Sequence, residues 1–408
     1  MAEDRQQYYN PGDIIYKKKA FVTVLRKDLH AVMCENCFER SFYLKRCGAC
    51  HFTQYCGKKC QEEAWSDHNL ECKFLKNLPD TLVQDIVQIV AKVILKIKGK
   101  NWSEITDQIG NEIVSFADLD SRKAKLESDP KTQLLVKEVI ACLETYIGEE
   151  NLPETDRLIE IIGKVKNNMN SYSLSPDAPK IEVHSLFIGP SLIKHSCISN
   201  STFMFDRHIV EIRITRKIKK DIKEVTHNLF TMVCAITAHK TSRSSRRARG
   251  EECTCCDCSK PYGTSVLTKI IDDKRAYGVV IESEILLDVI SSLTDIHGSD
   301  LSRAPLPEVI EEVLKKQEGV LGDTNILRLR LLAVKCLFMN GYPSKQVKEL
   351  KKLLESMKFV FGEYYEELIP IYRKLLLLGR VFLDHSTYMQ YGLEIKYLWL
   401  IPIALELC

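Results

Sequence analysis

The chain has 408 residues, is 45% hydrophobic and carries a formal net charge of +3. That length and apolar content exclude a disordered polymer and predict two or three packed domains, and the near balance of charge excludes bulk attraction to nucleic acid or membranes. Its 16 cysteines call for a chemical explanation. The opening MAEDRQQYYN holds no apolar segment of the signal-peptide kind, and no run approaches the roughly 18 apolar residues of a membrane span. A cytoplasmic or nuclear location is expected. In a reducing compartment, cysteines at short regular spacings predict metal ligation rather than disulfides.

In chain order, NPGDIIYKKKAFVTVL reads as a turn followed by strands, within a first segment placed at 1–33. The string over 34–72 then offers four ligand pairs: Cys34 with Cys37, Cys47 with Cys50, Cys56 with Cys60, and His68 with Cys72. Each of the first two pairs encloses two residues, the tight knuckle that lets two thiolates reach one ion at about 2.3 Å. The last two pairs are spaced i, i+4, which puts both side chains on one face of a helical turn. Eight ligands fill two tetrahedral sites, but spacing alone does not say which pairs share an ion. The pattern resembles the MYND finger. That resemblance implies interleaved sites, with Cys34, Cys37, Cys56 and Cys60 on one zinc and Cys47, Cys50, His68 and Cys72 on the other. A module of about forty residues has too little core to fold alone, so metal binding is expected to supply its folding energy. MYND fingers bind short proline-containing peptides; Trp65, Phe52 and Tyr55 are candidates either for lining such a groove or for filling a small core.

Downstream, LPDTLVQDIVQIVAKVILKIKGK carries apolar residues at helical period after a Pro-Asp start, and helical stretches continue to about residue 169. The next informative string, HSLFIGPSLIKHSCISNSTFMF over 184–205, contains Lys194, His195, Ser196, Cys197 and then Asn200. Further on, CTCCDC contains a C-x-C-x2-C triplet, Cys253, Cys255 and Cys258, with Cys256 between them. Three thiolates leave a structural zinc one ligand short. From 276 to 396 the chain reads as successive amphipathic helices, and the terminal YLWLIPIALELC is apolar but too short to span a bilayer.

Together these segments resemble the SET and MYND domain-containing (SMYD) protein-lysine methyltransferases, this chain reading as a divergent member. The resemblance implies an α+β fold: a split SET β-fold with the MYND finger inserted, a helical insert, a post-SET zinc cluster and an α-helical, tetratricopeptide-like C-terminal domain. The implied boundaries are 1–33 for the first SET part, 34–72 for the finger, 73–170 for the insert, 171–240 for the SET core, 241–262 for the post-SET cluster and 263–408 for the helical domain. It also implies that Cys197 joins Cys253, Cys255 and Cys258 on a third zinc, the alternative being a separate knuckle without Cys197. Asn170, in GKVKNNMNSYSLS, and His195 stand where the family binds S-adenosylmethionine; His195 reads equally as a packing residue.

Methyl transfer needs an in-line approach of a neutral amine to the sulfonium methyl, so the donor must be bound and the lysine desolvated and aligned. Several of the family's residues for this are replaced. The donor-contacting asparagine of the SET motif is Lys194, a cation beside a positive sulfonium. One aligning tyrosine falls on Asn228 or Leu229, a second on Arg249, and no tyrosine occurs between Tyr172 and Tyr262. The ten residues before Pro11 contain no glycine to match the family's donor loop. No catalytic residue is therefore assigned. The expected role is protein binding in transcriptional or chromatin regulation, through the finger and the helical domain, with the methyltransferase site degraded; the alternative is an active S-adenosylmethionine-dependent lysine methyltransferase. A basic cluster over 213–249, from Arg213 and Arg216 to Arg247 and Arg249, is a candidate contact for nucleic acid or an acidic partner, or a solvated face.

Overall fold

The helix Gln84–Ile97 has the sequence QDIVQIVAKVILKI, with branched apolar residues around most of its circumference; Val87, Ile89, Val90, Val93 and Ile97 are all buried. Such a helix is stable only inside a core. Asp85 in its first turn and Lys96 in its last complement the helix dipole. Three helices pack on it: Lys58–Glu71, Pro130–Ile147 and Thr155–Asn168. The second of these starts cleanly because the Asp129 carboxylate accepts a 3.0 Å hydrogen bond from the Thr132 amide and Pro130 needs no amide partner. It stops at Gly148, whose φ of +83° takes the chain out of the helix. This computed structural model describes residues 7–81, 83–174, 182–227, 260, 263–297, 306–338, 343–365, 368–382 and 385–399.

By its internal contacts the chain divides into two units. One comprises Tyr16–Leu192 and Phe205–Glu211 and holds the central helix, the finger and an antiparallel three-stranded sheet. In that sheet Val183–Leu186 lies between Val22–Leu25 and Met169–Tyr172, with Val24 opposite His184 and Asn170 opposite Ser185. Segments more than 140 residues apart in sequence thus share one ladder. A second hairpin, Thr106–Ile109 with Glu112–Ser115, adds a clamp that the letters do not announce. There Asp107 accepts from Tyr16 Oη at 2.5 Å, Lys18 Nζ at 2.5 Å and the Gly189 amide at 2.9 Å.

The other unit comprises Met1–Ile15, Ile193–Met204 and Ile212–Cys408. Within it the short strand Lys194–His195 runs parallel to Thr226–His227, and Tyr8–Tyr9 runs antiparallel to Ile218–Lys219. From residue 273 on, the described residues form helices: Asp273–His297, Leu306–Gln317, Ile326–Phe338, Pro343–Phe361, Ile369–Phe382 and His385–Trp399. Consecutive helices pack on one another, around a core that includes Ile290, Ile310, Leu331, Leu350, Met357 and Leu375. Cys336 is fully buried there, while Cys142 is half-buried in the first unit. No described helix is long and apolar enough to cross a membrane.

Candidate metal centre

The finger is built on two copies of the same turn. Phe38 N donates to Cys34 O at 2.9 Å and His51 N to Cys47 O at 3.0 Å, so each C-x2-C pair folds back on itself. A two-residue ladder, Lys45 opposite Tyr55 and Arg46 opposite Gln54, then brings the second knuckle and Cys56 together, and the helix Lys58–Glu71 supplies Cys60 and His68 from its inner face, with Cys72 at its end.

Two four-ligand clusters result: Cys34, Cys37, Cys56 and Cys60 form one, and Cys47, Cys50, His68 and Cys72 the other, with the ligand atoms of each within 4.8 Å of one another. In the first cluster Cys37 Sγ lies 3.4 Å from Cys56 Sγ. In the second, Cys47 Sγ lies 3.9 Å from Cys72 Sγ, and His68 Nε2 lies 3.4 Å from Cys47 Sγ and 3.8 Å from Cys50 Sγ. A tetrahedron of zinc–sulfur bonds near 2.3 Å has edges of about 3.8 Å, so both donor sets fit a zinc ion in identity, number and separation. The interleaved pairing expected from resemblance is the one the fold brings together. Burial holds the His68 imidazole below its ordinary pKa, in the neutral form a metal ligand needs. Its other nitrogen, Nδ1, faces Thr53 Oγ1 at 3.4 Å and fixes the ring edge-on to Tyr55.

The second cluster is the more enclosed, with Cys47, His68 and Cys72 all buried, whereas Cys56 of the first is exposed. Polar contacts bind the finger to the central helix behind it. Glu71, 3% exposed, meets Lys92 Nζ at 2.9 Å and accepts from Tyr146 Oη at 3.1 Å. Asp67 bridges Lys96 at 2.7 Å and Lys19 at 3.1 Å; burial pushes its pKa up, but the two ammonium groups outweigh that and hold it below the usual carboxylate range. Near the first knuckle, His30 Nδ1 pairs with the buried Glu35 carboxylate.

The donor-binding candidates lie in different units. Asn170, half-buried in the three-stranded sheet, donates from Nδ2 to Asn168 O at 3.3 Å. In the helical unit, His195 Nε2 lies 3.5 Å from the buried Cys197 Sγ, and Lys194 beside it is exposed. Asn200 is a clamp: its Nδ2 donates to Glu224 O at 2.8 Å and its Oδ1 accepts from Thr226 N at 2.8 Å. Cys253, Cys255 and Cys258, with Asn228, Leu229 and Arg249, lie outside the described residues.

Comparison with known proteins agrees with this geometry. The family description "MYND finger" matches residues 34–72. Over 331 residues the chain is 29% identical to the human histone-lysine N-methyltransferase SMYD3 and 26% identical to its mouse counterpart, covering 79% of this chain and 72% of each relative. Over 388 residues it is 22% identical to the zebrafish N-lysine methyltransferase SMYD2-A, covering 92% of this chain and 85% of that protein. The finger and these relatives together support a member of the SMYD family.

Within that SMYD frame two choices left open by the sequence narrow. Tyr55 is only 2% exposed and Phe52 is half-buried against the core, in keeping with the small-core alternative; Trp65 is the most exposed of the three aromatics, at 45%. The basic cluster also shrinks. Arg213 is buried in a strand, and Arg216 turns its guanidinium to the Phe359 carbonyl, so both serve the fold. Lys217, Lys219, Lys220 and Lys223 remain exposed, and residues 228–249 lie outside the described set.

Proposed function

We propose that this SMYD-family chain is a zinc protein that acts by binding other proteins through its finger and its C-terminal helices, in transcriptional or chromatin control, and that methyl transfer at its SET-type site is impaired. The reading takes the flanking architecture as a split SET fold with a tetratricopeptide-like helical domain. The observation that carries it is a contrast in completeness. All eight finger ligands stand in two tetrahedral sets. By comparison, the position that would contact the methyl donor is Lys194, and no tyrosine occurs between Tyr172 and Tyr262. An ammonium group at a site for a sulfonium costs donor affinity, and missing aligning phenols cost roughly tenfold to thousandfold each in rate. Of the donor-binding set only Asn170 and His195 keep suitable side chains, which is too little for S-adenosylmethionine to fit well, and no catalytic step is derived through it. A third zinc on Cys197, Cys253, Cys255 and Cys258 belongs to the same proposal.

A second reading, an active protein-lysine N-methyltransferase, is favoured by the relatives, which are lysine methyltransferases and align over most of the chain. Calorimetric titration with S-adenosylmethionine and a radiolabelled methyl-transfer assay on the purified chain separate the two. The binding reading expects no saturable donor uptake and no incorporated label; tight uptake with turnover overturns it. Metal analysis by mass spectrometry is expected to give three zinc ions per chain, and two would leave Cys197 without a metal.

A further inference from the structure

The helix Asp273–His297 buries one face in the helical core through Ala276, Val279, Leu286, Leu287 and Ile290. Its opposite face is apolar too: Tyr277 is 79% exposed, Ile281 37%, Ile285 59% and Val289 46%. These residues follow one another every four positions, so they form a solvent-facing stripe about 18 Å long at 1.5 Å per residue. A helix packed on one side only ordinarily turns polar residues to water. Four large apolar groups in a row therefore mark a contact surface.

The charges on that face identify what it contacts. At about 100° per residue, Lys274, Ile281 and Asp288 fall within about 20° of a single line along the helix; Tyr277 and Ile285 flank it at about 40° on either side, and Gly278 and Glu284 at about 60°. A half-turn about Ile281 thus exchanges Lys274 with Asp288, Tyr277 with Ile285 and Gly278 with Glu284. All of these positions are exposed, and a side chain built on Gly278 would meet open space. An isologous contact requires that residue i meet j while j meets i. Three of these exchanges are complementary: opposite charges at Lys274 and Asp288, large apolar groups at Tyr277 and Ile285, and Ile281 on itself; Val289, about 80° from the line, falls at the edge of the contact. A foreign helix would impose no such symmetry on the sequence.

We propose that the helix Asp273–His297 is a self-association surface, pairing antiparallel with the same helix of a second copy of this chain about a two-fold axis at Ile281. Lys274 of each copy then faces Asp288 of the other. The contact covers only a few helical turns, so the dimer is weak, in the micromolar range of small interfaces. Sedimentation equilibrium of the full zinc-loaded chain tests this. The expected result is a reversible monomer–dimer equilibrium that Ile281→Glu and Ile285→Glu shift to monomer; both positions are exposed, and unchanged melting curves confirm folding. Lys274→Asp and Asp288→Lys, each made alone and checked by its melting curve because Asp288 also interacts electrostatically with the buried Arg330, oppose like charges at both ends of the interface and weaken the dimer by about tenfold. Made together they exchange the partners and restore it. A wild-type chain that stays monomeric into the high micromolar range, even if it captures some other protein on the stripe, overturns the proposal. So does a dimer indifferent to the isoleucine changes, or one that the double charge exchange fails to restore.

Discussion

Phe38 and His51 each follow the second cysteine of a C-x2-C pair, and both sit at φ +57°. A side chain in this left-handed region costs roughly 1 kcal/mol relative to glycine, a cost that zinc bound to the adjoining thiolates would offset. The two residues differ in what else they do. His51 is exposed, so His51→Gly removes the strain and little else, and the zinc-loaded protein is expected to melt a few degrees higher. Phe38 is 6% exposed and its ring stands edge-on to His208 at 4.7 Å; Phe38→Gly is expected to cost about 3 kcal/mol through the lost packing. Thermal melts followed by circular dichroism read both, and a lower midpoint for His51→Gly would refute the strain argument. His208 carries its own prediction. Burial, aided by Lys19 and Arg207, holds its pKa down to about 4, against about 6.5 in an unfolded chain. As pH falls, the unfolded state therefore takes up the proton first. The stability from keeping His208 neutral is complete above about pH 6.5 and disappears by about pH 4, with a size on the order of 3 kcal/mol. Replacing His208 with Gln should flatten the dependence of stability on pH within that window, measured by urea titration at constant zinc; an unchanged slope would show that His208 ionises freely.

At the scale of elements, the contact that decides how the finger sits is the buried pair Glu71–Lys92, which joins the end of the helix Lys58–Glu71 to the middle of Gln84–Ile97. Glu71 precedes the ligand Cys72, so anchoring its carboxylate also positions a thiolate. Lys92→Met leaves Glu71 buried beside Tyr146 and Gln88 without its counter-charge, at an expected cost of about 3–5 kcal/mol, and zinc should leave the second cluster faster in a colorimetric chelation assay. Adding Glu71→Gln to that variant should recover much of the loss. A double variant as unstable as the sum of the singles would mean that the ion pair is not the cause. Here the limits of reading the letters are plain. Each finger ligand was legible because a C-x2-C or i, i+4 spacing binds it to its neighbour, and the helix over 84–97 was legible from its apolar period. Lys92 read as one more polar position in that period. Its partner lies 21 residues upstream and Tyr146 lies 54 downstream, and no local rule joins them. The same holds for Asp107 with Tyr16 and Gly189, and for Tyr55, an aromatic among zinc ligands whose burial depends on how the finger docks.

At the scale of the whole molecule, the division into two units follows contacts between remote segments, which is why the sequence suggested a finger and a helical end but not which strands each would gather. The finger's unit contains the central helix, and that helix is covered on one side by Lys58–Glu71, whose orientation depends on the metal ligands it carries. The core residues Ile310, Leu331, Leu350, Met357 and Leu375 belong to the other unit and to a separate apolar cluster. Stripping zinc should therefore act unevenly. Losing the eight-ligand finger removes the folding energy of a module with little core of its own, uncovers one flank of Gln84–Ile97 and leaves Glu71 free to leave Lys92. Amide exchange followed by mass spectrometry, before and after treatment with a strong chelator, should show protection falling first over 45–72 and then over 84–97 and 130–147. Protection over 343–361, where the helix Pro343–Phe361 packs mainly against the helices Ile326–Phe338 and Ile369–Phe382, should persist. If protection disappears from 343–361 as early as from 84–97, the two units melt as one and the finger's metal stabilises the entire chain rather than the half that surrounds it.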